Sequence, residues 1–297
     1  MSEGRKTNLN DLRVLIGTSG WGYEEWVGPF YPKGLKSKNF LNYYSQIFYT
    51  NEINTTFYQI PPQKIVEGWV NRTPPNFLFT AKLPQSITHQ YKLDVSKCMA
   101  DLEYYLMAME PLIQNRKLLA FLIQLPPSFT KDEHFYNLKN FRERWPEDYQ
   151  KAGYHLVVEF RHESWIDNEV FDYLQKNDLT YCSVIEPLLP PRMDITTKEF
   201  AYIRFHGYGE KIWFDYLFSK EEINKWARKI KKLILEVEKT GIYFNNHFSG
   251  YATKNAFMMM EELGILPRNY PKDVNILEIK KKSGEFDQDQ TCLDKFL

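Results

Sequence analysis

The chain has 297 residues, with 38 basic and 38 acidic side chains and a formal net charge of zero. That length suits one large α/β domain or two small ones, and the charge balance excludes binding of a polyanion through the overall field of the molecule. Cys98, Cys182 and Cys292 show no CxxC spacing, which argues for a reducing compartment and against a disulfide framework or a cysteine-built zinc site. The first turn-rich residues lack the apolar core of a signal peptide, and the longest apolar run, residues 118–123, is far short of a membrane helix, so a cytoplasmic protein is expected. Aromatic residues make up 16% of the chain, enough to ask whether they fill a core or stack on bases.

The first buried strand is expected at RVLIG, residues 13–17, followed by the glycine- and proline-rich loop TSGWGYEEWVGPFYP. A helical stripe of Phe40, Leu41, Tyr44 and Phe48 comes next, then a strand in YTNEINTTFYQIP that ends with Glu52 and Asn54 on one face. Pro61 and Pro62 open a helix through Trp69, and FLFTAK forms a third strand ending at Lys82. Met99, Leu102, Leu106 and Met109 recur at three- and four-residue spacings, which predicts a helix over residues 95–112. LLAFLIQL, residues 118–125, reads as a fourth strand with Gln124 at its end, and residues 131–145 as a helix.

The fifth strand, residues 155–159, is short and apolar on both sides, as expected of a strand buried on both faces of a parallel sheet. Glu159, Arg161 and His162 then arrive within four positions, with Glu159 and Arg161 pointing the same way. A helix over 168–176, a sixth strand over 179–185 ending near Glu186, and a seventh over 200–207 carrying Arg204 and His206 follow. Ser219 and Glu222 form a capping box before a helix with the stripe Ile223, Trp226, Ile230, Leu233 and Val237. An eighth strand at 242–246 and a helix at 252–263 complete eight strand–helix alternations, the signature of a TIM-like (β/α)8 barrel, with a doubly wound open sheet as the alternative. The expected organisation is an extension over 1–12, one barrel over 13–266 and an appended tail over 267–297.

A barrel gathers the ends of its strands at one mouth, where ligands bind. That places Glu52, Asn54, Lys82, Gln124, Glu159, Arg161, Arg204, His206, Asn245 and Asn246 together. Glu52, Glu159 and His206 are the candidate acid/base groups, and Lys82, Arg161 and Arg204 the candidate anion holders. Lys82 as the amine of a Schiff base is equally compatible with the sequence. The structural alternative is ion pairing of Glu159 with Arg161, or of Glu52 with Arg204, to plug the barrel end. A divalent metal on Glu52, Glu159, His206 and one of His89 or His247 is a further alternative, though no HxH or HExxH spacing supports it. The cluster Lys225, Arg228, Lys229, Lys231 and Lys232 lies on the polar side of an amphipathic helix and reads first as a solvated face.

IGTSGWGYEEWVGPFYP, NEINTTFYQIP, FLFTAKLPQSITH, LVVEFRHESW, AYIRFHG and IYFNNHFSGYATKNA together resemble the domain of unknown function 72 family, also called YecE-like, from about Val14 to Leu263. The resemblance implies a TIM-barrel-like fold and no established reaction. Its signature positions fall on Trp21, Glu52, Asn54, Tyr58, Lys82, His89, Glu159, Arg161, Trp165, Arg204, His206, Gly207, Asn245, Asn246, Gly250 and Asn255. Of these, Trp21, Asn54, Tyr58, Lys82, His89, Arg161, Trp165, Arg204, Asn245, Asn246 and Asn255 are the expected substrate-binding set.

The last eight residues, QTCLDKFL, resemble the peptide that docks on the sliding clamp of archaeal and eukaryotic replication, a PCNA-interacting motif, through Gln290, Leu293, Phe296 and Leu297. That resemblance implies an archaeal source, a clamp partner and a role in DNA repair. Three functions follow as expectations. The first is a hydrolase of a phosphate-bearing substrate, in its sharpest form a clamp-recruited DNA-processing nuclease. The second is a small-molecule hydrolase of a sugar phosphate or glycoside, with Glu52 and Glu159 as acid and base. The third is a non-catalytic nucleic-acid module. A long groove lined by exposed Trp21, Tyr23 and Trp26 favours the first or third; a closed pocket favours the second.

Overall fold

The computed structural model describes residues 13–146, 149 and 153–269. Eight strands form one sheet: β1 (Val14–Thr18), β2 (Thr50–Ile53), β3 (Leu78–Lys82), β4 (Leu118–Gln124), β5 (His155–Glu159), β6 (Leu179–Ile185), β7 (Phe200–Phe205) and β8 (Lys239–Phe244). All neighbouring pairs are parallel, in the order β1-β8-β7-β6-β5-β4-β3-β2, and the main helices alternate with them in the chain. This is the barrel expected from the alternation. The eighth strand begins three residues earlier than the apolar run suggested, because Lys239 and Thr240 extend the ladder to Phe200 and Ala201.

The seam between β1 and β2 closes the barrel without a regular ladder. Ser19 and Glu52 form a single parallel bridge, and the Gly20 amide donates to the Glu52 carbonyl at 2.8 Å. Below that point the Tyr44 hydroxyl accepts from the Thr18 amide (2.8 Å) and donates to the Thr50 carbonyl (3.1 Å), standing in for a missing strand-to-strand bond. Asn51 adds two donations, to the carbonyls of Thr18 (3.0 Å) and Gly20 (2.9 Å). Gly17 is required here for proximity: a Cβ at that position would lie 2.2 Å from the Thr50 carbonyl oxygen.

Strand alternation sorts the core into two layers. Outward residues such as Leu156, Val158, Ile203 and Phe205 pack under the helices, while Val157, Cys182, Val184, Tyr202 and Tyr243 fill the barrel. Tyr202 and Tyr243 stack at 4.7 Å, and their hydroxyls bond Thr80 and Thr50 at 2.9 Å. The filling turns progressively polar toward the carboxyl ends of the strands.

The capping box forms as read. Glu222 donates its amide to Ser219 Oγ at 3.2 Å, and the Ser219 amide donates to the Glu222 carboxylate at 2.8 Å, starting the helix Lys220–Leu233. The chain stays docked beyond residue 266, for the Arg268 amide donates to the Ile47 carbonyl at 2.9 Å and its guanidinium sits 4.5 Å over Tyr49. Among the described residues, no helix is long and apolar enough to cross a membrane. Gln290, Leu293, Phe296 and Leu297 lie outside the described residues, as does the 1–12 extension.

The seam supplies a test. Tyr44→Phe leaves the buried Thr18 amide and Thr50 carbonyl without a bridge, so urea unfolding is expected to show a loss of about 1–3 kcal/mol. An unchanged midpoint would show that the seam does not depend on that hydroxyl.

Candidate functional site

Period-two alternation carries one inward residue from each strand but β1 to the mouth: Glu52, Lys82, Gln124, Glu159, Glu186, Arg204 and Asn245, with Asn54, Arg161 and His206 two residues beyond three of them. These side chains meet in one network. Arg204 is its hub, donating to Glu52 at 2.6 Å and to Glu159 at 2.5 Å. Glu52 also accepts from the Tyr202 hydroxyl at 2.5 Å. Arg161 donates through Nε to Glu159 at 2.6 Å and lies 2.5 Å from the Glu186 carboxylate, at angles that make an ion pair rather than a hydrogen bond.

The structural ion pairs left open from the sequence are therefore present, and through one shared arginine. Glu52 and Glu159 are fully buried, beneath the cavity floor rather than on it. Burial works to raise the Glu159 pKa, and the charges of Arg161 and Arg204 overcome it, holding the carboxyl well below the usual range. At Glu186 burial, helped by the nearby Glu159 charge, outweighs the charges of Arg161 and Arg204 and lifts the carboxyl to about 7. Sequence reasoning placed Glu186 near the end of the sixth strand but left it out of the group at the mouth; its parity with Cys182 and Val184 was the available signal.

His206 is buried, and burial followed by the charges of Arg204 and Arg161 lowers its pKa to about 3. Its Nε2 lies 3.0 Å from Arg161 and 3.3 Å from Arg204. Guanidinium groups only donate, so Nε2 accepts and the single proton of the neutral ring resides on Nδ1. Asn245 places its Nδ2 2.8 Å from Nδ1, and exchanging the amide's nitrogen and oxygen, which are interchangeable in shape, lets Oδ1 accept that proton. His206 at neutral pH thus orients two arginines and supplies no positive charge.

Above this network opens a cavity of about 860 Å³, lined by Lys82, Arg161, Arg204, His206, Gln124, Asn54, Asn245 and His89, with walls of Trp21, Tyr23, Phe57, Tyr58, Trp69, Phe214 and His247. Lys82 is distinct among its cations. Its ammonium lies over the Phe57 ring, 3.7 Å from the centroid, and burial first, then the Arg204 charge, lowers its pKa to about 7. His89 is half-buried beside Phe57, bonds Thr88 at 2.9 Å, and is lowered to about 4 by burial and then by Lys82.

Three of the expected substrate-binding residues lie elsewhere. Trp165 is buried between Phe160 and Phe129, stacked at 4.4 and 5.4 Å, with its ring nitrogen donating to the Phe129 carbonyl at 2.5 Å. Asn246 donates to the Tyr216 carbonyl and to Asn255, each at 2.8 Å, and Asn255 clasps both the amide and the carbonyl of Phe218. These amides pin the loop after β7, which Gly207 starts at φ +107°, where a Cβ would lie 2.4 Å from the Trp213 carbonyl. Trp26 is fully buried, and its ring nitrogen donates to the His247 carbonyl at 2.7 Å, so no row of exposed Trp21, Tyr23 and Trp26 forms. Among the described residues, no group of three or more His, Cys, Asp or Glu side chains is arranged to hold a metal ion.

Comparison with known proteins gives a consistent picture. The sequence model of the family "Protein of unknown function DUF72" matches residues 15–275. The chain is 26% identical to UPF0759 protein YunF of Bacillus subtilis over 279 residues, 85% of this chain and 95% of that protein. A crystal structure of a DUF72 family protein from Thermotoga maritima superposes with a TM-score of 0.75 at 36% identity, covering 84% of this chain and 99% of that one. One from Enterococcus faecalis superposes at 0.72 with 23% identity, covering 86% and 98%. These relatives are bacterial, and nothing in them supports the archaeal source expected from the tail.

Two outcomes follow from the network. Glu159→Gln removes one charge from beneath two buried guanidinium groups, and a loss of about 3–5 kcal/mol is expected in denaturant unfolding; near-wild-type stability would deny Glu159 its structural part. Lys82 behaves oppositely. A base whose pKa falls from 10.5 unfolded to about 7 folded opposes folding fully at and below pH 7, and progressively less as pH rises to 10.5. Lys82→Met is therefore expected to melt higher than wild type at pH 7, with the gap closing by pH 10. A gap that is absent or widens with pH would contradict the shift.

Proposed function

The chain belongs to the DUF72 family, a name that assigns no reaction, and we propose from the cavity itself that it is a barrel enzyme acting on a small phosphate-bearing molecule. The observation that carries this reading is the convergence of Lys82, Arg161 and Arg204 on one cavity. Arginine forks match the paired oxygens of a phosphate, and Arg161 and Arg204 are held in place from behind by carboxylates and by His206. The volume is that of a small-molecule site, and the aromatic walls offer apolar surface to the uncharged part of the ligand.

The glycoside alternative has less behind it. It needs two carboxyl groups that reach the sugar, whereas both Glu52 and Glu159 are fully buried and bonded to Arg204. The clamp-recruited DNA nuclease draws on the tail residues, outside the described structure, and its long aromatic groove is replaced by a compact cavity with Trp26 buried. Acid/base work falls in this reading to Lys82, whose pKa lies near neutrality on the cavity wall.

Calorimetry on the full-length protein with ribose 5-phosphate and with ribose tests the reading. The phosphate ester is expected to bind and the free sugar not. Lys82→Met is expected to weaken the ester about tenfold or more, the worth of one charge-assisted hydrogen bond. Equal response to ester and sugar would sink the proposal, and tighter binding of a labelled DNA strand would hand it to the nuclease.

A further inference from the structure

Anion binding leaves Lys82 incompletely explained. Arg161 and Arg204 are committed to carboxylates, whereas among the described residues Lys82 has no acidic partner; its contact is the face of Phe57. Its backbone is nonetheless fixed with care. The Lys82 carbonyl accepts from Thr56 Oγ1 at 2.6 Å and from the Tyr105 hydroxyl at 3.2 Å, at the end of a strand flanked by β2 and β4. Thr80, two residues earlier, meets Tyr202 inside the barrel, so the Lys82 side chain rises from the same face into the cavity.

A lysine needed only as a counter-charge would serve best fully protonated. Here burial and the neighbouring guanidinium bring it to about 7, so the free amine is abundant at neutral pH. A desolvated lysine beside another cation is the arrangement that makes an amine nucleophilic. The nitrogen rests against the Phe57 ring, and Lys82 lines the same cavity as Arg161 and Arg204, which would seat a phosphate.

We propose that Lys82 forms an imine with an aldehyde or ketone group of the phosphate-bearing molecule held by Arg161 and Arg204. The inference rests on the anion-binding reading above and names its substrate class as phosphorylated carbonyl compounds. The neutral amine adds to the carbonyl carbon: a C–N bond forms, the C=O π pair moves to oxygen, and a proton passes from nitrogen to that oxygen, giving a carbinolamine. Loss of the hydroxyl with a second proton from nitrogen releases one water and leaves the C=N bond. No oxidant or reductant takes part. The imine, once protonated, withdraws electrons from the adjoining carbon and opens proton abstraction or carbon–carbon cleavage there.

The test uses three chemical probes on the full-length protein: pyridoxal 5′-phosphate, pyridoxal without the phosphate, and pyridoxine 5′-phosphate without the aldehyde. Each incubation is reduced with sodium borohydride and mapped by peptide mass spectrometry. Pyridoxal 5′-phosphate is expected to modify Lys82 at least about tenfold faster than any other lysine, with a rate that rises through about pH 7 rather than pH 10. Pyridoxine 5′-phosphate should protect Lys82, and Lys82→Met should lose this adduct while keeping its fold, since that change removes a partly buried charge without an acidic partner among the described residues. Binding of pyridoxine 5′-phosphate by calorimetry with no adduct at Lys82 would overturn the imine and leave the anion site standing. A Lys82 adduct formed equally fast from pyridoxal would support the imine and reject the phosphate requirement. Absence of both binding and adduct would overturn both.

Discussion

Arg204 holds the mouth of this barrel together. Its guanidinium joins Glu52 on β2 to Glu159 on β5, strands on different sides of the barrel, through bonds of 2.6 and 2.5 Å in a site almost closed to water. Charges so placed are costly to bury singly and favourable only as a set. The set is completed by Arg161, by the Tyr202 hydroxyl and by a His206 kept neutral. These contacts hold both guanidinium groups from below, and Arg161 and Arg204 line the cavity above.

That arrangement divides labour by depth. Carboxylates lie below and fix the arginines; the arginines and His206 face the cavity; Lys82 stands on the wall with no acidic partner of its own among the described residues. At Lys82 and Glu186 burial outweighs the opposite charges nearby and brings both groups to about 7. Perturbed titration of this kind gathers at functional sites, because full satisfaction of every charge would leave no group ready to exchange a proton. Beneath Lys82, Tyr202, Tyr243 and their threonine partners fill the barrel interior.

The same economy explains the residues that resemblance grouped with the site and the structure sets apart. Trp165, Asn246 and Asn255 have no face on the cavity, yet they hold the loops that shape it. Asn255 closes both backbone groups of Phe218, and Gly207 permits the turn that sends the chain from His206 into that loop. Their chemistry is that of backbone satisfaction, for which a short amide is suited by having both a donor and an acceptor.

The sequence by itself determined the barrel and the list of polar strand ends. Eight apolar runs alternating with helical stripes leave few architectures, and period two then fixes that Glu52, Lys82, Glu159 and Arg204 point inward. It determined the Ser219–Glu222 cap as well, since both partners lie within one helical turn. What only the tertiary structure decided is which charge meets which. Arg204 is 152 residues from Glu52 and 45 from Glu159, and no local pattern states that one guanidinium serves both. Nor could spacing reveal that Tyr44 closes the β1–β2 seam, that Glu186 joins Arg161, or that Trp26 turns inward to His247. Local periodicity sets the direction of a side chain, whereas burial and partner choice depend on distances between strands remote in sequence. For that reason the low pKa of Lys82 is a property of the closed barrel rather than of FLFTAK.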